Sequence, residues 1–266
     1  MVVQRRKVEE EDVDRRVNFK YLNWENNNME LLEKNETKII FKMDAGTSLT
    51  NAIRRCLIEV PTLAVEELEI SRNDGPLYDE TIAHRIGLIP LVMKKKYKDS
   101  DEFKLKLSVK KEGIVYSKEL KGDIEVAYDG IPITDLRGEQ ELVLTATVKL
   151  GKGKDHSKHN PGTMFYRNIT ELTMDKSFLE DVKNACPNAN IKEKGNNIII
   201  TDDGIEEVLD VCEGILQKAR KEADTKVSNE LIVTVESFGQ MAPEEIFNKS
   251  IDELKKDLDE VLKVLK

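Results

Sequence analysis

The stretch that decides the fold runs from Leu49 to Leu91 and reads LTNAIRRCLIEVPTLAVEELEISRNDGPLYDETIAHRIGLIPL. Its first part predicts a helix, because apolar residues recur at spacings of three and four and form one stripe. The stripe consists of Leu49, Ala52, Ile53, Cys56, Leu57 and Val60. Pro61 should end this helix. Arg54 and Arg55 lie on the other side of the helix. Two interpretations of this pair are open: a solvated basic surface, or a contact with a partner protein.

The rest of this stretch predicts a strand, a turn and a second helix. Val65 to Ile70 alternates apolar residues with glutamates, which is typical of a strand with one solvent-exposed face. Asn73 to Pro76 is a strong turn signal. Asp79 to Leu88 then forms a short helix, on which His84 and Arg85 lie beside the apolar positions.

Strands and short helices are predicted on both sides of this stretch. Three runs between Phe103 and Leu150 have period two and predict strands: FKLKLSVK, IEVAYDGIPI and ELVLTATVKL. A polar loop, Gly151 to Thr163, follows them. Further strands are predicted at Phe19–Trp24, Lys38–Met43, Phe165–Thr173, Asn197–Thr201 and Glu230–Phe238, and helices at Ser177–Cys186 and Gly204–Lys221.

The last helix, Pro243 to Lys266, carries apolar residues at alternating spacings of four and three, which is a heptad seam. The seam consists of Phe247, Ile251, Leu254, Leu258, Val261 and Leu265. A terminal helix with such a seam packs either on its own domain or on a helix of another chain, and the spacing favours neither.

Composition excludes several classes of function. The net charge of −9 argues against general duplex binding, so little or no direct DNA contact is expected. Three cysteines among 266 residues offer no disulfide framework and suit a reducing compartment. Because no apolar run approaches the length of a membrane span, we expect a cytoplasmic protein that does not enter a membrane.

The polar loop is the main candidate for chemistry, since it begins Gly151-Lys152-Gly153-Lys154 and contains His156 and His159. It lacks the spacing of a phosphate-binding P-loop, and two histidines do not complete a tetrahedral metal site. No nucleophile and base can be paired, so no catalytic residue is predicted. The alternative hypothesis is a free-standing metal- or nucleotide-dependent enzyme built on residues 151–159.

Three segments in matching order resemble the alpha-type assembly subunits of cellular RNA polymerases, most closely the archaeal D-type branch of that family. They read LTNAIRRCLIEVPTLAVEELEI, DETIAHRIGLIPL and GKGKDHSKHNPGTMFYR. This resemblance implies an α+β fold with three domains. A discontinuous dimerisation domain would comprise residues 1–59 and 227–266. Residues 60–166 would form an inserted β-rich domain of mixed or antiparallel strands, and residues 167–226 a small ferredoxin-like domain.

The resemblance also implies a non-catalytic scaffold within a nucleotidyltransferase complex. The heptad seam and the Leu49–Val60 helix would pack against an L-like subunit, with the small zinc-binding subunits N and P completing a platform for the large catalytic subunits. A homodimer of the bacterial alpha type is a further possibility. Docking residues for the larger partners would be Asn51, Arg54, Arg55, His84, Arg85, Lys154, Asp155 and His156.

One departure from the resemblance concerns a cofactor. Many archaeal members carry a ferredoxin-like set of cysteines that binds an iron–sulfur cluster in the small domain. This chain has only Cys186 and Cys212 there. We therefore expect no cluster and no metal. An apolar core should hold this domain together, formed by Phe178, Leu179, Val182, Ile198, Ile200, Val208, Leu209 and Ile215.

Overall fold

The computed structural model describes residues 29–94, 96–187, 189–202, 208–221 and 224–265, and they form an α+β fold. The helices are α1 (Thr47–Cys56), α2 (Asp79–Gly87), α3 (Leu179–Ala185), α4 (Val208–Lys218) and α5 (Pro243–Leu265). The strands are β1 (Met29–Lys34), β2 (Lys38–Met43), β3 (Thr62–Asn73), β4 (Phe103–Val109), β5 (Gly113–Tyr116), β6 (Lys121–Gly122), β7 (Pro132–Leu136), β8 (Leu142–Gly151), β9 (Gly162–Asp175), β10 (Asn190–Lys194), β11 (Asn197–Thr201) and β12 (Asp224–Ser237).

These strands form three sheets. The first has six strands in the order β1-β2-β12-β9-β11-β10, the second has four in the order β3-β8-β4-β6, and β5 pairs with β7 in the third. β8 is antiparallel to both β3 and β4, and β11 is antiparallel to both β9 and β10. β3 therefore lies at an edge, and its register with β8 shifts twice, between Val65 and Glu67 and between Ile70 and Arg72.

The described residues fall into two compact units. One comprises residues 29–33, 40–46 and 166–233, and the other residues 34–39, 47–165 and 234–265. In the second unit, the alternating residues of β4 and β8 point into one apolar core, where Leu105, Leu144 and Val148 meet Ile82 and Ile86 of α2. The domain boundaries that the resemblance implies stay a prediction.

The first unit contains a separate small core. Its centre is apolar and consists of Leu172, Met174, Val182, Cys186, Ile198, Ile200, Val208, Cys212 and Leu216. These side chains come from β9, β11, α3, α4 and the residue after α3, so two helices cover one side of an antiparallel strand pair. Four of the residues expected in this core lie at its centre, and the other four, Phe178, Leu179, Leu209 and Ile215, pack against it.

Most of the predicted elements are confirmed, with adjusted ends. The second helix and the strand at Asn197–Thr201 occupy the expected residues. The first helix ends earlier, at Cys56, and a 3₁₀ turn at Leu57–Glu59 carries the chain to Pro61. The predicted strand at Phe19–Trp24 lies outside the described residues. None of the helices in the described part of the chain has the long apolar stretch needed to cross a bilayer.

One predicted strand is wrong. The run IEVAYDGIPI forms no continuous strand. Residues 124–131 contain bends, a turn and one isolated bridge between Val126 and Leu91, and only β7 begins within the run, at Pro132. The backbone N–H groups of this segment bond elsewhere: Ala127 donates to the carbonyl of Pro90, and Ile131 donates to the hydroxyl of Ser117. Strand β1 has no counterpart among the predicted elements.

Candidate partner-docking surface

The two arginines of α1 lie on its exposed face, as expected from the stripe. Arg54 donates from Nε and Nη2 to Oδ1 of Asn51, at 3.2 and 3.0 Å. These two predicted docking residues are therefore hydrogen-bonded to each other. Arg55 is exposed as well. Ile58, also exposed, lies one turn beyond Arg54. The surface therefore offers guanidinium donors beside an apolar side chain.

The apolar stripe of α1 is not part of this surface. Ile53, Cys56, Leu57 and Val60 are buried within the chain, and α1 and the following 3₁₀ turn pack against α5. Burial also raises the pKa of the Cys56 thiol, with smaller contributions from nearby carboxylates. Leu49 and Ala52, the other two residues of the stripe, are half-buried. Contact between this helix and a partner therefore stays a prediction, although α5 of the same chain packs against much of its apolar face.

The polar loop is anchored by ion pairs to the 3₁₀ turn that follows α1. Nζ of Lys154 lies 2.9 Å and Nζ of Lys152 3.3 Å from Oε2 of Glu59. The backbone N–H of Lys154 donates to the carbonyl of Ile58 at 3.1 Å. Nζ of Lys152 also lies 3.8 Å from Oε2 of Glu253 in α5. One loop therefore ties together the 3₁₀ turn and the last helix.

These ion pairs shift the pKa of Glu59 and the pKa of Lys154. Burial, the largest single influence on Glu59, raises its pKa, but the hydrogen bonds from Lys154 and Lys152 outweigh it, so the pKa of Glu59 is lowered. The hydrogen bond to Glu59 in turn raises the pKa of Lys154. Both groups are held in their charged forms, and Lys154 is shared between this internal pair and solvent.

The glycines of the loop serve close packing. A Cβ on Gly151 would lie 2.5 Å from Nε2 of His159, and a Cβ on Gly153 would lie 3.2 Å from the carbonyl oxygen of Ile58. Glycine is the residue that permits such approaches. The Gly-Lys-Gly-Lys pattern is therefore explained by contacts within the chain.

His159 is a buried structural residue, and it was not among the predicted docking residues. It is 4% exposed, its Nδ1 lies 2.8 Å from the carbonyl oxygen of Thr62, and the hydroxyl of Thr62 donates to the carbonyl of His159 at 2.6 Å. Burial lowers the pKa of His159, outweighing the hydrogen bond with Thr62. A neutral imidazole with its proton on Nδ1 fits this geometry. The two contacts between His159 and Thr62 hold the loop against the start of β3.

His84 and His156 line the same cavity although they lie 72 positions apart in the sequence. Both line an open cavity of about 170 Å³ whose wall also includes Leu68, Leu88 and Lys158. Nδ1 of His156 accepts from the backbone N–H of Lys158. The cavity joins all three of the segments that carry the resemblance. Its walls combine apolar side chains with two histidines, Lys158 and the carboxylates of Glu66 and Glu67.

The remaining docking predictions have more local partners. Nη1 of Arg85 donates to the carbonyl of Ile133 at 2.9 Å, which ties α2 to β7. Asp155 is exposed, and its backbone N–H donates to the carbonyl of Lys152. Arg85 therefore has an internal role as well as an exposed surface, whereas the carboxylate of Asp155 faces solvent.

The heptad seam of α5 divides into a covered and an uncovered part. Phe247 and Ile251 are 1% and 6% exposed and belong to the core. Leu254 and Leu258 are half-buried. Beyond them the helix carries four exposed apolar side chains: Val261 (55%), Leu262 (38%), Val264 (86%) and Leu265 (76%). We call residues 257–265 the α5 tail.

The thiols do not fit an iron–sulfur cluster. Cys186 and Cys212 are buried in the small apolar core, where burial raises the pKa of Cys212 to about 11, with a lesser influence from Cys186. Such clusters take four thiolate ligands, and Cys56, the remaining cysteine, lies in the other compact unit. Among the described residues, no three His, Cys, Asp or Glu side chains are grouped to hold a metal ion.

Comparison with known proteins gives the family. Residues 69–179 match the RNA polymerase Rpb3/RpoA insert domain. The DNA-directed RNA polymerase subunit Rpo3 of Pyrococcus furiosus is 35% identical over 259 residues, which cover 89% of this chain and 96% of that protein. The chain belongs to the Rpo3 family.

Other Rpo3 proteins match over similar lengths. The Thermococcus kodakarensis protein is 32% identical, covering 88% of this chain and 96% of its own length. The Methanobrevibacter smithii protein is 31% identical, covering 88% and 97%. These matches span nearly the whole of each protein, and the resemblance to archaeal alpha-type subunits is confirmed.

Proposed function

We propose that this chain is a non-catalytic assembly subunit of a DNA-directed RNA polymerase, working in transcription. The observation that carries the proposal is that Rpo3 proteins match it over nearly their whole length. The contacts of the polar loop support a structural role, since Gly151, Gly153, His159 and the lysines at positions 152, 154 and 158 are engaged within the chain. These contacts leave little to favour the alternative of an enzyme at residues 151–159.

In this proposal the α5 tail pairs with an L-like subunit. Four exposed apolar side chains form a patch on one side of the helix, and exposed apolar patches mark interaction sites. The covered half, with Phe247 and Ile251, would hold the helix at a fixed direction. The dimerisation domain of residues 1–59 and 227–266, the inserted domain and the ferredoxin-like domain belong to this proposal.

The exposed face of α1 would contact a large catalytic subunit. Arginine suits such a contact because its planar guanidinium pairs with carboxylates through two hydrogen bonds. The interaction between Arg54 and Asn51 positions one guanidinium before a partner arrives, and Ile58 supplies apolar area beside it. His84, His156 and their shared cavity would form a second contact, with a small zinc-binding subunit or a large one.

The small unit would act without an iron–sulfur cluster. Its core packs aliphatic side chains around both thiols, and the raised pKa of Cys212 disfavours the thiolate that a metal requires. Iron and sulfide analysis of anaerobically purified protein tests this part. We expect substoichiometric iron, and one cluster per chain would contradict it.

Co-purification tests the proposal as a whole. We would express the chain with L-like, N-like, P-like and large subunits, comparing wild type with the Val261→Asp/Leu265→Asp variant. Lys263→Asp is the matched control, because it places a carboxylate on the polar side of the same turn. Wild type and control should capture the L-like subunit, and the double variant should lose it while keeping its helical circular dichroism. Capture by the double variant would contradict pairing through the tail.

A further inference from the structure

The α5 tail carries charge in a pattern that bears on the choice of partner. At 3.6 residues per turn, Val261, Leu265 and Leu258 point to one side. Asp257 and Glu260 border this stripe on one side. These carboxylates are largely exposed, and Lys263 lies on the far side of the helix. The uncovered stripe therefore has an acidic border.

Little within the described chain neutralises this border. Lys154 lies near enough to Asp257 to feel its charge, but its Nζ is bound to Glu59 at 2.9 Å. Lys255 and Lys256 pair with Asp252 and Glu253, which precede the tail. The carboxylates of α5 that form ion pairs with described residues are Glu244, Glu245, Asp252 and Glu253, and all of them precede the tail. The border is thus available to a partner.

We propose that the α5 tail selects a partner helix whose apolar stripe is bordered by lysine or arginine, and that it rejects a second copy of this chain. In an antiparallel pair of identical helices each border meets its own copy, so Asp257 and Glu260 of one chain would face the same residues of the other. Like charges at an interface border oppose association, whereas basic residues there favour it. The inference rests on the proposed function for the identity of the partner.

The test compares a charge-reversed variant, Asp257→Lys/Glu260→Lys, with wild type for binding to an L-like subunit. The matched control reverses two exposed carboxylates on other elements: Glu112→Lys/Glu139→Lys. At low salt the tail variant should bind about tenfold more weakly, since exposed charge pairs each contribute modestly. The difference should shrink at about 0.5 M salt, where screening is strong. The control should bind like wild type.

Equal affinity of the tail variant and wild type at both salt concentrations would overturn the inference and leave the proposed function intact. If wild type fails to bind the L-like subunit, the proposed pairing is wrong. The inference about charge is then tested by measuring how tightly copies of this chain associate with one another. In sedimentation experiments an equimolar mixture of wild type and tail variant should associate more tightly than wild type alone. Wild type that associates as tightly as the mixture would overturn it.

Discussion

Replacing Gly151 with alanine tests how the polar loop is held. Gly151 lies opposite Thr62 in the pairing of β3 with β8, and the ring of His159 packs over it. A Cβ would lie 2.5 Å from Nε2 and 2.7 Å from Cε1 of His159, so the ring must move. Movement would remove the 2.8 Å contact between Nδ1 and the carbonyl of Thr62.

The expected cost follows from these two effects. Losing a buried hydrogen bond costs about 1–3 kcal/mol, and overpacking adds about 1–3 kcal/mol. The Gly151→Ala variant should therefore lose about 2–6 kcal/mol of unfolding free energy, or about 4–24 °C in melting temperature for a chain of this size. Urea denaturation monitored by circular dichroism measures the first quantity, and thermal unfolding measures the second.

Two further variants make this prediction decisive. Gly87→Ala is the matched control, because nothing lies within 4 Å of its added Cβ, and its stability should change by less than about 1 kcal/mol. His159→Ala removes the obstructing ring, so the double variant Gly151→Ala/His159→Ala should be about as stable as His159→Ala alone. If the two single effects add, or if Gly151→Ala is as mild as the control, the packing argument is refuted.

Three other perturbations have expected outcomes. Because the pKa of Glu59 is lowered in the folded protein, its ion pairs with Lys152 and Lys154 should stabilise the fold above the ordinary glutamate pKa of about 4.5, and this stabilisation should be lost as the pH falls through the lowered pKa. Glu59→Gln should therefore weaken the dependence of the unfolding free energy on pH in this acidic range, measured by urea unfolding. An unchanged pH dependence would count against the lysine contacts. Phe247→Ala should cost about 3–5 kcal/mol in the same assay because the ring is buried, and a loss below about 1 kcal/mol would show that α5 is not anchored there. Arg54→Ala/Arg55→Ala should change stability by less than about 0.5 kcal/mol yet weaken capture of the large subunits, and undiminished capture would disprove the docking surface on α1.

Periodicity allowed the local elements to be predicted from the sequence. The stripe from Ile53 to Val60 and the alternation in β8 repeat over short distances, so each specifies its own conformation. The segment at residues 124–131 misled the same method, because it alternates apolar residues although its backbone bonds to Pro90 and Ser117. Partners so far away in the chain leave no trace in a local pattern.

The docking surface was predictable only in part. Helical spacing places Arg54 and Arg55 outward, and it places Ile58 on the same side. No spacing indicates that Glu59 holds two lysines almost a hundred residues later, or that Gly151 makes room for His159. The division of the α5 seam was likewise hidden, since a heptad pattern shows which side of a helix is apolar and not which neighbour covers it.

The two register shifts in β3 matter for the time before any partner arrives. An edge strand of twelve residues presents unpaired backbone groups, to which another chain could add a strand and begin to aggregate. Each shift inserts an extra residue that twists the edge out of regular pairing, and exposed Glu66 and Glu67 stand at the first of them. These shifts should therefore disfavour strand pairing between copies of the free chain before it binds other subunits.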